Sequence, residues 1–230
     1  YSNSSFPALK NISFLIEANC KVGITGASGS GKTTLIGIIL GLLTPNKGNL
    51  VIDNIKIKSD RDRISLRSNI GYIPQNIYLA DDTIAKNIAF GKEEEEIDYE
   101  LLYEVAKITN VHGFIQTLPK SYETIIGENG VRLSGGQRQR IGIARALYYK
   151  PKLLIFDEAT NSLDSINEKK LIDEIFQNIK MNLTIIFVTH NLNILKKCDK
   201  ILLIQKGCLV AEDHYNQLKK NDEYFKSLLQ

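Results

Sequence analysis

The sequence is poor in cysteine and methionine, carries little net charge and has no long apolar run. Three cysteines, Cys20, Cys198 and Cys208, stand among 230 residues. None is spaced Cys-x-x-Cys from another, which argues against a zinc site and a redox dithiol. So sparse and odd a count fits a reducing compartment rather than a disulfide scaffold. The tripeptides Asn3-Ser4-Ser5, Asn11-Ile12-Ser13 and Asn182-Leu183-Thr184 then read as chance matches to a glycosylation pattern. A net charge of +3 gives no general pull towards nucleic acid. The basic residues fall in scattered pairs such as Lys169-Lys170, Lys196-Lys197 and Lys219-Lys220. The longest apolar candidate, Leu35 to Leu43, is punctuated by glycine and too short to span a bilayer. No stretch has the charged start, apolar middle and small-residue end of a secretory leader. Methionine occurs once, at Met181, and the chain opens on Tyr1, so the expectation is a piece of a longer polypeptide.

What is present is an ordinary globular composition, 43% hydrophobic and 24% charged, enough for a sizeable core in one or two lobes. The chain is organised around Gly26-Ala27-Ser28-Gly29-Ser30-Gly31-Lys32-Thr33-Thr34. This stretch fits G-x-x-x-x-G-K-[ST], the phosphate-loop pattern. Lys21 to Thr25 before it reads as a short apolar strand, and Leu35 to Leu43 after it as a helix. Glycines let successive backbone N–H groups converge on phosphate oxygens, and the helix start adds its positive dipole end. Lys32 can reach the β- and γ-phosphates, and the Thr33 hydroxyl can hold Mg²⁺.

Elsewhere Leu9 to Glu17 alternates in part and reads as an edge strand of an antiparallel lobe. Leu50 to Lys58 suggests a return strand, with Pro45 and Gly48 stopping the helix before it. Ile70 to Ile73 is a short strand ended by Pro74. From about Asn76 the texture turns helical, with Ile97, Leu101, Leu102, Val105 and Ile108 on one face. Glu93 to Glu96 reads as a solvated run before that helix, or as an acidic partner site. From Lys152 the pattern is again α/β. Leu153 to Phe156, Leu183 to Val188 and Lys200 to Ile204 read as buried strands. Leu171, Ile172, Ile175, Phe176 and Ile179 mark a helix stripe. The fold class is therefore α/β: a P-loop core, residues 1–75 and 150–230, interrupted by a helical insert over 76–149.

Two further stretches carry chemistry. Leu153-Leu154-Ile155-Phe156-Asp157-Glu158 puts two carboxylates at the C-terminal end of a buried strand, where open α/β sheets bind ligands. Asp157 suits Mg²⁺ and Glu158 the attacking water; the bland alternative is a pair of acidic helix caps. Leu133-Ser134-Gly135-Gly136-Gln137 opens a helix whose exposed start could meet a second anion, or could simply be a capped surface helix.

In this order the motifs resemble the nucleotide-binding domain of an ATP-binding cassette (ABC) transporter, over essentially the whole chain. The resemblance implies a RecA-like core with an antiparallel β lobe. It makes Gly26 to Thr34 the Walker A motif, with Tyr1 stacked on adenine. Gln75, in Gly71-Tyr72-Ile73-Pro74-Gln75, matches the Q-loop glutamine, a further Mg²⁺ contact. Leu133 to Gln137 is the signature motif, whose Ser134, Gly135, Gly136 and Gln137 act on a partner copy's ATP. Asp157 closes Walker B, Glu158 is the catalytic carboxylate, Asp164 in Ser162-Leu163-Asp164 marks the D-loop, and His190 is the switch histidine. The implied cofactors are ATP and Mg²⁺. The implied partners are a second such domain, as a homodimer, and a transmembrane domain on the same polypeptide, with no nucleic acid. The implied place is the cytoplasmic face of the inner membrane. Thr124 to Arg132 resembles an exporter loop, and Tyr72 to Ile84 is similar to bacterial flippases of lipid-linked oligosaccharides. Asn19 stands where members often carry Gly, and Thr33 replaces the commoner Ser. A soluble DNA-repair or translation cassette would bring a coiled coil or a second cassette, and no sustained heptads occur here. An importer subunit would be a free-standing chain with its own initiator methionine.

Overall fold

The structure, a computed structural model, describes residues 6–159, 171–174, 176 and 183–228. Its strands are β1 (Lys21–Thr25), β2 (Val51–Ile52), β3 (Ile55–Lys56), β4 (Ile70–Ile73), β5 (Leu153–Asp157), β6 (Thr184–Val188), β7 (Lys200–Gln205) and β8 (Cys208–Asp213). The helices that matter below are α1 (Lys32–Ile39), α2 (Asp60–Arg67), α3 (Ile84–Ile88), α4 (Tyr99–Ile108), α5 (His112–Gln116) and α6 (Gly135–Tyr148). Two compact units result, one of Tyr1–Ile70 with Thr184–Gln230 and one of Gly71–Leu183. Among the described residues no helix is long and apolar enough to cross a membrane.

In the first unit β1 lies between β6 and β7 and pairs parallel with both. A strand enclosed on both edges must be apolar on both faces, and Val22 and Ile24 are buried. β8 returns antiparallel to β7 across the two-residue turn Lys206-Gly207. Both turn residues have positive φ, 47° and 77°, the geometry that matches strand twist. The sequence reading has no strand there. Leu9 to Glu17 is not a strand. Asn11 turns it into the left-handed region at φ 51°, and its anchors are single bonds, Lys10 N–H to Gly207 O and Lys200 Nζ to Leu15 O. Leu50 to Lys58 is a hairpin rather than one strand, because Asp53 and Asn54 both take positive φ between β2 and β3. Helix α1 ends earlier than Pro45: Gly41, at φ 65°, terminates it, and the N–H groups of Leu42 and Leu43 donate to Gly37 O. The unforeseen α2 starts on a capping box in which Ser59 and Asp62 satisfy each other's backbone N–H.

In the second unit β4 neighbours β5. Gly71 makes this approach possible, since a Cβ there would sit 2.7 Å from Leu154 Cδ1 and 2.9 Å from Ala146 O. Helices follow, begun by side-chain caps at Thr83, Asp98 and Ser134. Helix α6 packs against α3 and α4 around Ile84, Ile88, Leu102, Val105 and Ile143. Asn87 is fully buried and ties α3 to its approach, its Nδ2 donating to Ala80 O and Thr83 O while its Oδ1 accepts from Ala80 N–H. Arg145 of α6 closes the network through Asn87 Oδ1, Asn87 O and Tyr78 O. Glu93 to Glu96 is an exposed turn, with Lys92 3.8 Å from Glu96. Leu171 and Ile172 of the later helix stripe are buried, whereas Ile175 and Ile179 lie outside the described residues.

Candidate functional site

The loop after β1 is shaped by its glycines. Gly26 has φ 147°, and a Cβ there would lie 1.9 Å from Ile204 O, so no other residue fits. Gly29 and Gly31 also have positive φ. Gly31, in the left-handed region, opens α1 without any side-chain cap. Lys32 is only 6% exposed, and its ammonium donates to Gly26 O (2.6 Å) and Ala27 O (3.0 Å). Ala27 N–H donates to the hydroxyl of Tyr224. Ser30 Oγ is buried with no hydrogen-bond partner. Ala27, Ser28, Gly29 and Thr33 are exposed, and Thr34 is half-buried. An uncapped helix start, a buried ammonium and an orphaned hydroxyl together suit an anion with several acceptor oxygens. His190, exposed, follows β6 in the same unit. Parallel pairing brings β1 and β6 out at one sheet edge, where Thr189 N–H donates to Ile24 O.

The second unit has its own convergence. Strand β5 delivers Asp157 and Glu158 half-buried. Tyr72 of β4 donates its hydroxyl to Asp157 Oδ2 at 2.9 Å. Burial, then that hydrogen bond and the carboxylate's charge, raise the tyrosine's pKa well above the ordinary phenol value. Glu158 takes φ 50°, unusual for a residue with a Cβ. Gln75, exposed beyond Pro74, lines a cleft of about 480 Å³ together with Gly135, Arg138, Gln139 and Ala159.

Ser134 caps α6 by accepting from Gln137 N–H, and Gln137 Oε1 accepts from Ser134 N–H in return. Gln137 is thus occupied by its own helix start. Gly135 and Gly136 are half-buried and Ser134 is exposed. Tyr1 and Asp164 lie outside the described residues. Sequence reasoning missed Tyr72, Gln139 and Arg145, whose partners are distant in sequence. Tyr72 and Arg145 show only as polar residues within apolar stretches, and Gln139 is hidden in the polar run Gln137 to Arg140.

The sequence model of a family described as ABC transporter matches residues 9–161. The chain is 41% identical over 223 residues to an ATP-dependent lipid A-core flippase of Saccharophagus degradans, covering 96% of this chain and 37% of that protein. It is 37% identical over 221 residues to the ATP-binding cassette sub-family B member 5 of Mus musculus, covering 96% of this chain and 18% of that protein. Among solved structures it is similar to a bacterial Atm1-family ABC exporter with ATP bound. There the TM-score is 0.85 and the identity 32%, over 96% of this chain and 38% of that one. The chain thus spans less than two fifths of the length of these relatives.

Proposed function

The chain belongs to the ABC transporter family and is an ATP-binding ATPase domain of that family, and from that premise we propose that it powers export or flipping of a substrate across a membrane. The reading takes residues 1–75 and 150–230 as the α/β core and 76–149 as the helical part of a single nucleotide-binding domain. The observation that carries it is Ser30, a buried hydroxyl without a partner inside a glycine loop, next to buried Lys32 and an uncapped helix start. That is the environment a triphosphate fills.

In this reading Gly26 to Thr34 grip the β- and γ-phosphates and Tyr1 stacks on the adenine. Thr33, Gln75 and Asp157 offer oxygen donors only, which suits Mg²⁺. The bound ion supplies neutralising charge for the phosphate oxygens. Glu158 accepts a proton from water and aims it in line, and His190 donates to the γ-phosphate. Ser134, Gly135, Gly136 and Gln137 of a second copy complete each site, with Asp164 between the copies. The remaining partner is a transmembrane domain on the same polypeptide, which puts this chain at the cytoplasmic face of an inner membrane. The flippase likeness favours a lipid-linked saccharide as cargo.

The test is Glu158→Gln with ATP and Mg²⁺. Phosphate release is expected to slow at least ~100-fold, and light scattering to report a nucleotide-dependent dimer. Unchanged turnover with a monomer throughout would reject the reading.

A further inference from the structure

The turn after β5 carries a strain that the motif positions leave unexplained. Glu158 sits at φ 50°, and a residue with a Cβ stays in that region only where its surroundings hold it. One such hold comes from α6. Gln139 is 2% exposed, and its Nε2 donates to the carbonyl oxygen of Ala159, which is also buried. Gln139 Oε1 has no partner. The amide orientation is therefore set by one bond, since turning it over would set oxygen against oxygen.

A buried amide is a costly choice for a helix face. Leucine or methionine would fill the volume without orphaning an acceptor. What the amide alone supplies is a donor aimed at the carbonyl of the residue that follows Glu158. Gln139 lies little more than one turn beyond Ser134, on the same rigid helix. Both Gln139 and Ala159 line the cleft that Gln75 and Gly135 share.

We propose that Gln139 is a positioning residue for Glu158. It ties the start of α6 to the carbonyl of Ala159, the residue after the carboxylate, and so holds the turn in which Glu158 takes its left-handed backbone. A shift at Ser134 is thereby passed to the side chain that aims the water. The inference rests on the reading of Glu158 as the water-orienting group.

Gln139→Met keeps the volume and removes the donor; Gln139→Asn keeps the amide but falls one methylene short. In the 230-residue chain, each is expected to lower kcat for ATP by roughly tenfold to a hundredfold, because small misplacements of a reacting group cost that much. The Kd for a non-hydrolysable ATP analogue should stay within about twofold, and adding either change to Glu158→Gln should lower the residual rate by no more than about twofold. In the unaltered chain, the Gln139 Nε2 protons should exchange with solvent far more slowly than those of an exposed glutamine. Unchanged kcat in both variants, losses that multiply with Glu158→Gln, or fast Nε2 exchange would overturn the proposal. A Glu158→Gln chain with full turnover would remove the premise as well. A slow Glu158→Gln beside a fully active Gln139→Met removes the proposal alone.

Discussion

At the scale of single residues, Lys32 has two duties. In this structure its ammonium is turned onto the carbonyls of Gly26 and Ala27, the loop's own acceptors. A phosphate oxygen is a stronger acceptor for the same proton donors, so ligand binding exchanges one partner set for another. Lys32→Ala is expected to weaken ATP binding by ~2–3 kcal/mol, the loss of charged hydrogen bonds, and to abolish turnover. Equilibrium titration with a fluorescent ATP analogue checks it, and wild-type affinity would remove Lys32 from its role. The residues of this loop were legible in sequence because their work depends on identity at fixed spacing. Tyr72 and Gln139 were not. Each acquires its role from a carboxylate or a carbonyl far along the chain, and no local pattern announces a long-range partner.

At the scale of elements, the helix caps and the buried polar network fix the second unit. Asn87 satisfies the backbone of Ala80 and Thr83 and receives Arg145, so removing it strands several buried groups at once. Burial lowers the pKa of the Arg145 guanidinium, yet the site keeps it because three oxygens accept from it and the ring of Phe90 lies 4.8 Å below. Asn87→Leu is expected to destabilise this unit by ~2–4 kcal/mol, the cost of unpaired buried polar groups. Urea unfolding followed by circular dichroism measures it, and a loss well under that range would show the network to be dispensable. Strands β5, β6 and β7 could be read ahead of the structure, because enclosed strands are written as unbroken apolar runs. The stretch Leu9 to Glu17 was misread, since partial alternation does not reveal the left-handed turn at Asn11. The hairpin turns at Asp53-Asn54 and Lys206-Gly207 carried a signal in their residue types that competed with longer apolar readings.

At the scale of the molecule, several weak acids are held in their protonated form. Burial pushes the Cys198 thiol up to about 12 from 9.0. Burial, with the neighbouring Tyr103, pushes Tyr122 up to about 12 from 10.0. Tyr99 is raised as well, but it is more exposed and solvent screens it. In each case the unfolded chain releases its proton at a lower pH than the folded chain. Stability from these groups is complete below pH 9.0 and is lost as pH rises towards about 12. Urea midpoints taken across that alkaline window should fall steadily, and a flat profile would contradict the assignment. The division into units also sets an order of events on the ribosome. Residue 21 of β1 faces residue 185 of β6, so the strand that leads into the phosphate loop must wait for the whole second unit to be translated. At ~5–20 residues per second that delay is on the order of ten to thirty seconds. During it Val22 and Ile24 stand without β6 and β7, while the contiguous unit ending at Leu183 is made and finished first. The nascent chain is thus most in need of a chaperone at the segment that will later hold the nucleotide.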